Sequence, residues 1–254
     1  MKKETINIVV PMAGAGSRFA KAGYDLPKPL IEILGKPMIK LVIENLSAEN
    51  YDCRFIFLCQ RAHLDRFDLK KKLEAWAPDC EVVPVDGLTE GAACTVLLAR
   101  QYINNDAPLV IANCDQYVGC KMDDFLDTWF SQHYDGMIMT MTADDPKWSF
   151  VGFDEAGKPS RVVEKEVISS EATVGIYGYT HGKDFVRTAE GMIKRNERVK
   201  NEFYVAPTYN EMIAEGALLG IYNIGSERDG MYGLGIPQDL EYFMSLDWVP
   251  PLCK

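Results

Sequence analysis

Residues Ile6–Leu30 read INIVVPMAGAGSRFAKAGYDLPKPL, and this stretch decides the fold. Ile6, Ile8, Val9 and Val10 form an apolar run that predicts a buried strand, broken at Pro11 into the small-residue loop Ala13-Gly14-Ala15-Gly16-Ser17. Glycines without a Cβ let backbone N–H groups close around phosphate oxygens. Arg18 can fork two such oxygens with its planar guanidinium, and Lys28 supplies a compact charge. Pro27 and Pro29 predict an extended backbone around Lys28. The pattern suits a polyphosphate ligand.

Two other glycine-loop designs compete with this reading and fail on particular residues. The dinucleotide fingerprint needs a third glycine where Phe19 stands, and a P-loop needs a closing Gly-Lys-Ser/Thr that is missing.

Working outward, strand and helix signals alternate through the first half. Arg54–Cys59, Glu81–Val85 and Pro108–Asn113 read as strands, with helices expected over Met38–Leu46, Leu64–Trp76 and Gly91–Tyr102. Such alternation predicts parallel strands with crossover helices in an open α/β sheet, whose ligands sit beyond the carboxyl ends of the strands. The glycine loop and Asn113-Cys114-Asp115 would then face one crevice. From Gly136 the rhythm changes to strands at Gly136–Thr142, Ser149–Asp154, Arg161–Glu164 and Ala172–Thr180, then helices at Lys183–Arg195 and Gln238–Leu246. No linker rich in Gly, Ser or Pro divides the chain, so 1–254 is expected to be a single domain. Residues 1–120 would be its nucleotide-binding part and 121–254 an acceptor-binding part continuous with the sheet.

Composition narrows the partners. A formal charge of −10 disfavours nucleic acid and anionic membranes, and no apolar stretch reaches the ~18 residues of a membrane span. The seven cysteines include no Cys-x-x-Cys pair, so reduced thiols in a cytoplasmic, soluble chain are expected. No secretory signal pattern precedes the first strand, since Met1-Lys2-Lys3-Glu4 runs straight into it.

The motifs Gly14-x-Gly16-x-Arg18, Pro27-Lys28-Pro29-Leu30 and Gly35-Lys36-Pro37-Met38-Ile39, in that order and spacing, resemble the sugar-phosphate nucleotidyltransferases, the nucleoside-diphosphate-sugar pyrophosphorylases. The resemblance implies an open mixed α/β sheet of Rossmann-like type with flanking helices. It also implies transfer of a nucleoside monophosphate from an NTP to a phosphorylated small-molecule acceptor, with Mg²⁺ as cofactor and pyrophosphate as product. A role in supplying building blocks for surface polysaccharides would follow. Further matches run through the chain: Asn113-Cys114-Asp115 for the metal, Val163-Glu164-Lys165 for the acceptor, Gly175-Ile176-Tyr177 beside it, and Asn201-Glu202-Phe203-Tyr204 on the acceptor. On this basis Lys28 would hold the α-phosphate, Arg18 the leaving phosphates, Lys165 the acceptor phosphate and Asp115 the Mg²⁺. Glu164, Gly175, Glu202 and Tyr204 would contact the acceptor, while Ala13–Ser17 and Asn113 would contact the nucleotide. From the residue alone, Asp115 could equally cap a turn, and Glu164-Lys165 could be a solvated ion pair.

Two places depart from the family. Glu166 follows Lys165 where a proline is usual, and Gly233 stands where many members carry a second metal-binding aspartate. Asp229 or Asp239 could serve instead, or Asp115 could act with substrate phosphates alone. Leu88-Thr89-Glu90-Gly91-Ala92-Ala93 resembles the family's base-contact segment, which implies that Glu90, Gly91 and Ala92 contact the nucleotide, with Asp86 or Glu90 near where relatives often place a glutamine. A carboxylate only accepts hydrogen bonds at neutral pH, which favours bases that offer donors. Cytosine N4, guanine N1 and N2 and uracil N3 all offer them; among these a pyrimidine is favoured, with cytidine ahead of uridine and thymidine. A nucleotide-binding regulatory protein that has lost catalysis is the alternative, prompted by Gly233, and homo-oligomerisation is left open.

Overall fold

The computed structural model describes residues 3–254. Along them run thirteen strands: β1 Thr5–Met12, β2 Glu32–Ile33, β3 Lys36–Pro37, β4 Asp52–Gln60, β5 Glu81–Val85, β6 Leu109–Ala112, β7 Gln116–Val118, β8 Gly136–Thr142, β9 Ser149–Phe153, β10 Pro159–Glu164, β11 Glu171–Tyr179, β12 Leu219–Glu227 and β13 Gly230–Gly233. Eleven form one sheet in the order β5-β4-β1-β6-β11-β8-β12-β13-β7, with β9 attached to β11 and β10 to β9. β2 and β3 pair separately.

The first four large strands are mutually parallel, with β1 at the centre between β4 and β6. Chain order along this part of the sheet reverses between β1 and β6. That gap is the topological switch point, where open α/β sheets bind their ligands. The glycine loop leaves β1 on one side of it, and Asn113-Cys114-Asp115 leaves β6 on the other. β11 and β8 then join antiparallel, and the sheet continues unbroken into the second half of the chain.

Side-chain alternation along β1 explains the layers. Ile6, Ile8, Val10 and Met12 enter one core with helices Met38–Leu46, Leu69–Trp76 and Met122–Ser131, while Val9 enters the opposite core. The opposite core is roofed by helices Ala92–Leu97, Arg100–Ile103, Gly182–Lys194 and Tyr209–Ala214.

Several local expectations needed correction. β1 runs through Pro11 to Met12 rather than ending at the proline. The Asn7 N–H donates to Pro108 O on the β6 side, so by alternation Pro11 also faces β6, past the last β1–β6 pair at Val9 and Ile111. No ladder bond is lost there. Lys28 opens a short 3₁₀ turn, Lys28–Leu30, rather than lying in extended backbone. The helix expected over residues 64–76 is two helices, Arg61–Phe67 and Leu69–Trp76, broken at Asp68, which takes φ 49°. Aspartate tolerates that left-handed conformation better than most residues.

A third, smaller core braces the phosphate loop. Phe19, Ile31, Ile33, Met38 and Leu41 pack with Leu234, Leu240, Phe243 and Val249 from helix Pro237–Met244 and its flanks. Lys36, only 7% exposed, donates from Nζ to Glu44 Oε2 at 2.6 Å and to the main-chain oxygen of Leu252. Among the described residues no helix is long and apolar enough to cross a membrane.

Replacing Lys36 by methionine should leave Glu44 and the Leu252 carbonyl without their donor, costing about 1–3 kcal/mol. Urea denaturation of the two proteins reads this directly. An unchanged midpoint would show that the lysine does not anchor residues 249–253.

Candidate active site

The cleft over the switch point has two compartments. The first is lined by Ala13 and Gly14 of the glycine loop, by Lys28, by Leu88, Thr89 and Gly91, and by Asp115. The second is lined by Trp148, Ser149, Glu164, Gly175 and Tyr177. Pro11, Ala92, Asn113 and Tyr204 line both, so the compartments meet.

At the floor, Lys28 Nζ donates to Asp115 Oδ2 at 2.7 Å across the switch point. Burial works against the Lys28 ammonium, but the neighbouring Cys114 sulfur and the hydrogen-bonded Asp115 carboxylate together outweigh it and hold the pKa above the usual lysine value. Cys114, also close, is a neutral thiol near pH 7, because burial pushes its pKa up to about 11. Arg18 is exposed at the start of helix Ser17–Lys21, where its charge opposes that of Lys28.

The loop itself is held from below. Gln60, at the end of β4, donates its side-chain amide to Ala13 O at 2.8 Å and to Gly14 O at 3.2 Å. With these carbonyls engaged, the N–H groups of Gly14, Ala15 and Gly16 remain without a protein acceptor among the described residues. Gly16 takes φ 58°, the left-handed conformation that turns the chain into the helix. The loop pattern did not point to Gln60. A polar amide ending the apolar run Phe55–Cys59 was the available signal.

Gly91, on the wall of the first compartment, is held against the Phe203 segment. It has φ 130°, and a Cβ there would lie 2.4 Å from Phe203 O. Phe203 N donates to Glu90 O at 2.8 Å, and Ala93 N donates to Phe203 O at 3.0 Å. Gly175 has a comparable reason to be glycine, since a Cβ would meet Asn113 Nδ2 at 2.0 Å. The Asn113 side chain therefore lies flat across β11, and its Nδ2 donates to Gln116 Oε1 at 3.3 Å.

Beside the second compartment, Lys165 Nζ sits 4.4 Å from the centre of the Tyr204 ring and donates to its hydroxyl. Lys165 has φ 60°, an unusual backbone for lysine that ends β10 and turns the side chain toward Tyr204. Glu164 is buried, accepts from Ser149 Oγ, and has its pKa raised chiefly by desolvation. Trp148 lines this compartment with its Nε1 shielded from solvent and unpartnered among the described residues. Trp148, Ser149 and Lys147 carried no recognised motif in the sequence.

Some expected residues stand elsewhere. Asp86 is exposed and paired with Arg61 at 2.6 Å, and Glu90 is exposed and paired with Arg198. Neither lines the cleft; Leu88 and Thr89 do, with the Thr89 and Thr95 hydroxyls 2.5 Å apart. The preference for cytidine therefore loses the carboxylate acceptors on which it rested. Glu202, expected among the acceptor contacts, lines the first compartment and not the one lined by Glu164 and Gly175. Ala15 and Gly16 face away from both compartments, on the outer side of the loop, and Ser17 starts the helix.

Gly233 pairs with Gln116, next to Asp115. A Cβ at Gly233 would lie 3.5 Å from Asp239 Oδ2, whereas Asp229 is an exposed turn residue whose main-chain oxygen accepts from Ser226. Asp239 itself pairs with Arg228 at 3.3 Å. Among the described residues there is no cluster of three or more His, Cys, Asp or Glu able to hold a metal. Asp115 offers one hard oxygen donor facing the cleft, a donor set that fits Mg²⁺ shared with substrate phosphates rather than an all-protein cage.

Comparison with known proteins agrees with this architecture. A solved nucleoside-diphosphate-sugar pyrophosphorylase from Vibrio cholerae RC9 superposes with a TM-score of 0.80 at 25% identity, covering 94% of this chain and all of that one. The inositol-1-phosphate CTP transferase of T. maritima shares the fold, with a TM-score of 0.72 at 15% identity over 100% of this chain and 96% of that one. Among curated proteins, the bifunctional protein GlmU of Desulfotalea psychrophila is 28% identical over 216 residues, 81% of this chain and 60% of the relative. The mannose-1-phosphate guanylyltransferase catalytic subunit beta of Drosophila pseudoobscura pseudoobscura is 22% identical over 233 residues, 89% of this chain and 61% of the relative. The chain thus spans about three-fifths of the length of these curated relatives. The nucleotidyl transferase family model matches residues 8–215, most of the chain and both compartments of the cleft, and the chain belongs to that family.

Proposed function

We propose that this chain transfers a nucleoside monophosphate from an NTP to a small phosphorylated acceptor, a sugar 1-phosphate or a similarly small non-sugar phosphate, releasing pyrophosphate. The observation that carries the reading is the meeting of two compartments at a shared wall, with Lys28 in the first and Lys165 at the edge of the second. Relatives named for guanylyl, uridylyl and cytidylyl transfer support the reaction class without choosing the base.

The chemistry follows from the charges. An acceptor phosphate oxygen attacks the α-phosphorus; the bond to the bridging oxygen breaks, and its electron pair leaves with pyrophosphate. An ionised phosphate is already a nucleophile, so the protein's task is alignment and charge neutralisation. No general base is needed. Lys28 would hold the α-phosphate, and the free amides of Gly14–Gly16 with Arg18 would hold the phosphates beyond it. Lys165, steadied on the Tyr204 ring, would hold the acceptor phosphate. Glu164 and the Asn113 amide would orient acceptor hydroxyls. Asp115 would hold Mg²⁺, which when bound neutralises phosphate charge.

Asp115→Ala should lower turnover by about 10²–10³-fold or more, since it removes an electrostatic support of the transition state. The fold should persist, because Leu234 N bonds the main-chain oxygen of Asp115 and not its side chain. Pyrophosphate release with each NTP and a panel of phosphorylated acceptors is the readout. Activity near that of the parent would reduce Asp115 to a partner of Lys28.

Lys165→Ala should separate the two substrates. Calorimetric titration of NTP is expected to give nearly the parent affinity, while the acceptor KM rises about tenfold or more, in line with loss of a charged hydrogen bond. A large drop in NTP affinity would place Lys165 on the nucleotide instead.

A further inference from the structure

One corner of the first compartment is built from the segment 87–92, joined by Thr95 from helix Ala92–Leu97. The surface there is small and apolar: Gly87, Gly91, Ala92 and the side chain of Leu88, which is 76% exposed. Only two side chains in this corner are polar, Thr89 and Thr95, and their hydroxyls lie 2.5 Å apart. An apolar ledge beside two hydroxyls suits a flat ring with one polar edge, the shape of a nucleobase rather than of a ribose or a phosphate. Neither carboxylate on the lining competes for such an edge, since Asp115 is taken up by Lys28 and Glu202 by the Tyr204 hydroxyl.

The protons of the two hydroxyls are already committed. Gly91 O accepts from Thr95 N at 3.1 Å, which leaves it one of its two lone pairs. Thr89 Oγ1, at 3.0 Å, and Thr95 Oγ1, at 3.2 Å, both lie within reach of that oxygen. Only one hydroxyl can donate there, and the other donates to its neighbour across the 2.5 Å contact. Both protons are then used inside the protein, and lone pairs alone are left for a ligand. Turning a hydroxyl outward to meet a carbonyl costs its bond to Gly91 O. Two acceptor oxygens side by side are best matched by two N–H bonds on one nitrogen, the exocyclic amino group of cytosine, adenine or guanine. Uracil and thymine offer a single N3–H flanked by two carbonyls, and a carbonyl oxygen set against these lone pairs is repelled.

We propose that the Thr89–Thr95 hydroxyl pair reads the base of the NTP and selects one that carries an exocyclic amino group, cytosine, adenine or guanine, over uracil and thymine. The assignment rests on the nucleotidyl-transfer reading and adds to it the class of nucleotide used. The two hydroxyls take the part that the carboxylates of Asp86 and Glu90 do not, since arginines hold those outside the cleft.

Titration calorimetry on the full chain tests this by comparing CTP, ATP and GTP with their deaminated counterparts UTP, ITP and XTP, and with dTTP. One of the first three should bind most tightly and exceed its own counterpart by about tenfold or more, as expected when a hydrogen bond gives way to opposed acceptors. Thr89→Val and Thr95→Val keep the side-chain shape and remove one oxygen each, so the ratio should fall about threefold or more in both. Thr89→Ser keeps the hydroxyl and should retain the ratio. Melting curves confirm folding, and Thr89, only half-buried, carries the test if the variant at buried Thr95 does not fold. Tightest binding of UTP or dTTP, equal affinity within every pair, or an unchanged ratio in the folded valine variants would overturn the inference. If pyrophosphate is released from NTP and acceptor with UTP or dTTP preferred, this inference fails and the transfer reading stands. If the amino preference depends on Thr89, yet no NTP and acceptor release pyrophosphate, the transfer reading fails and the base preference stands.

Discussion

The Lys28–Asp115 ion pair is the contact on which the site depends. Its partners are 87 residues apart in sequence, one reached from the end of β1 and the other from the end of β6. Neither would be close to the other without the reversal of strand order between β1 and β6. A lysine largely withdrawn from water needs a counter-charge, and Asp115 provides it before any substrate arrives. The pair also keeps a strong positive and a strong negative group in one small volume without net charge.

Much of this was legible in the residues, for physical reasons that differ by element. β1 and the loop after it were readable because a buried parallel strand must be apolar and a phosphate loop must be small, leaving few alternative sequences. Helix Met38–Leu46 and strand β8 match their expected bounds, since each has a clear period and firm flanking signals. Residues 116–118 and 230–233 were missed because strands of three or four residues carry too little pattern. Helix Met122–Ser131 and strand β12 were also missed, although Met122, Phe125, Leu126 and Trp129 lie at helical spacing. The acidic pair in that helix's first turn was a further signal left unused.

The site was legible in its charges and not in its scaffolding. Lys28, Asp115, Glu164 and Gly175 could be named because a motif fixed their places along the chain. Gln60, Trp148 and the Thr89–Thr95 hydroxyl pair could not, since their roles come from neighbours distant in sequence. Asp86 and Glu90 show the opposite failure. Acidic residues beside a binding segment looked like base readers, but arginines on adjacent elements, Arg61 and Arg198, hold them at the surface. Local sequence cannot reveal such a competitor. The glycine at 233 is clearer in three dimensions, where Asp239 comes close to the space a side chain there would fill.

The small core that braces the phosphate loop has a consequence for how the protein is made. Phe19 leaves the ribosome early, but Leu234, Leu240, Phe243 and Val249, which cover it, are translated near the end of this sequence. At elongation rates of about 5–20 residues per second, that cover arrives on the order of ten to forty seconds later. Until then the parallel strands can assemble while the apolar side of the loop's helix stays wet. A nascent chain in this interval has its parallel strands β1, β4, β5 and β6 but lacks β12, β13 and the C-terminal cover of the loop. It also presents a sticky patch that crowded neighbours or chaperones can reach, and a stalled ribosome would prolong that exposure.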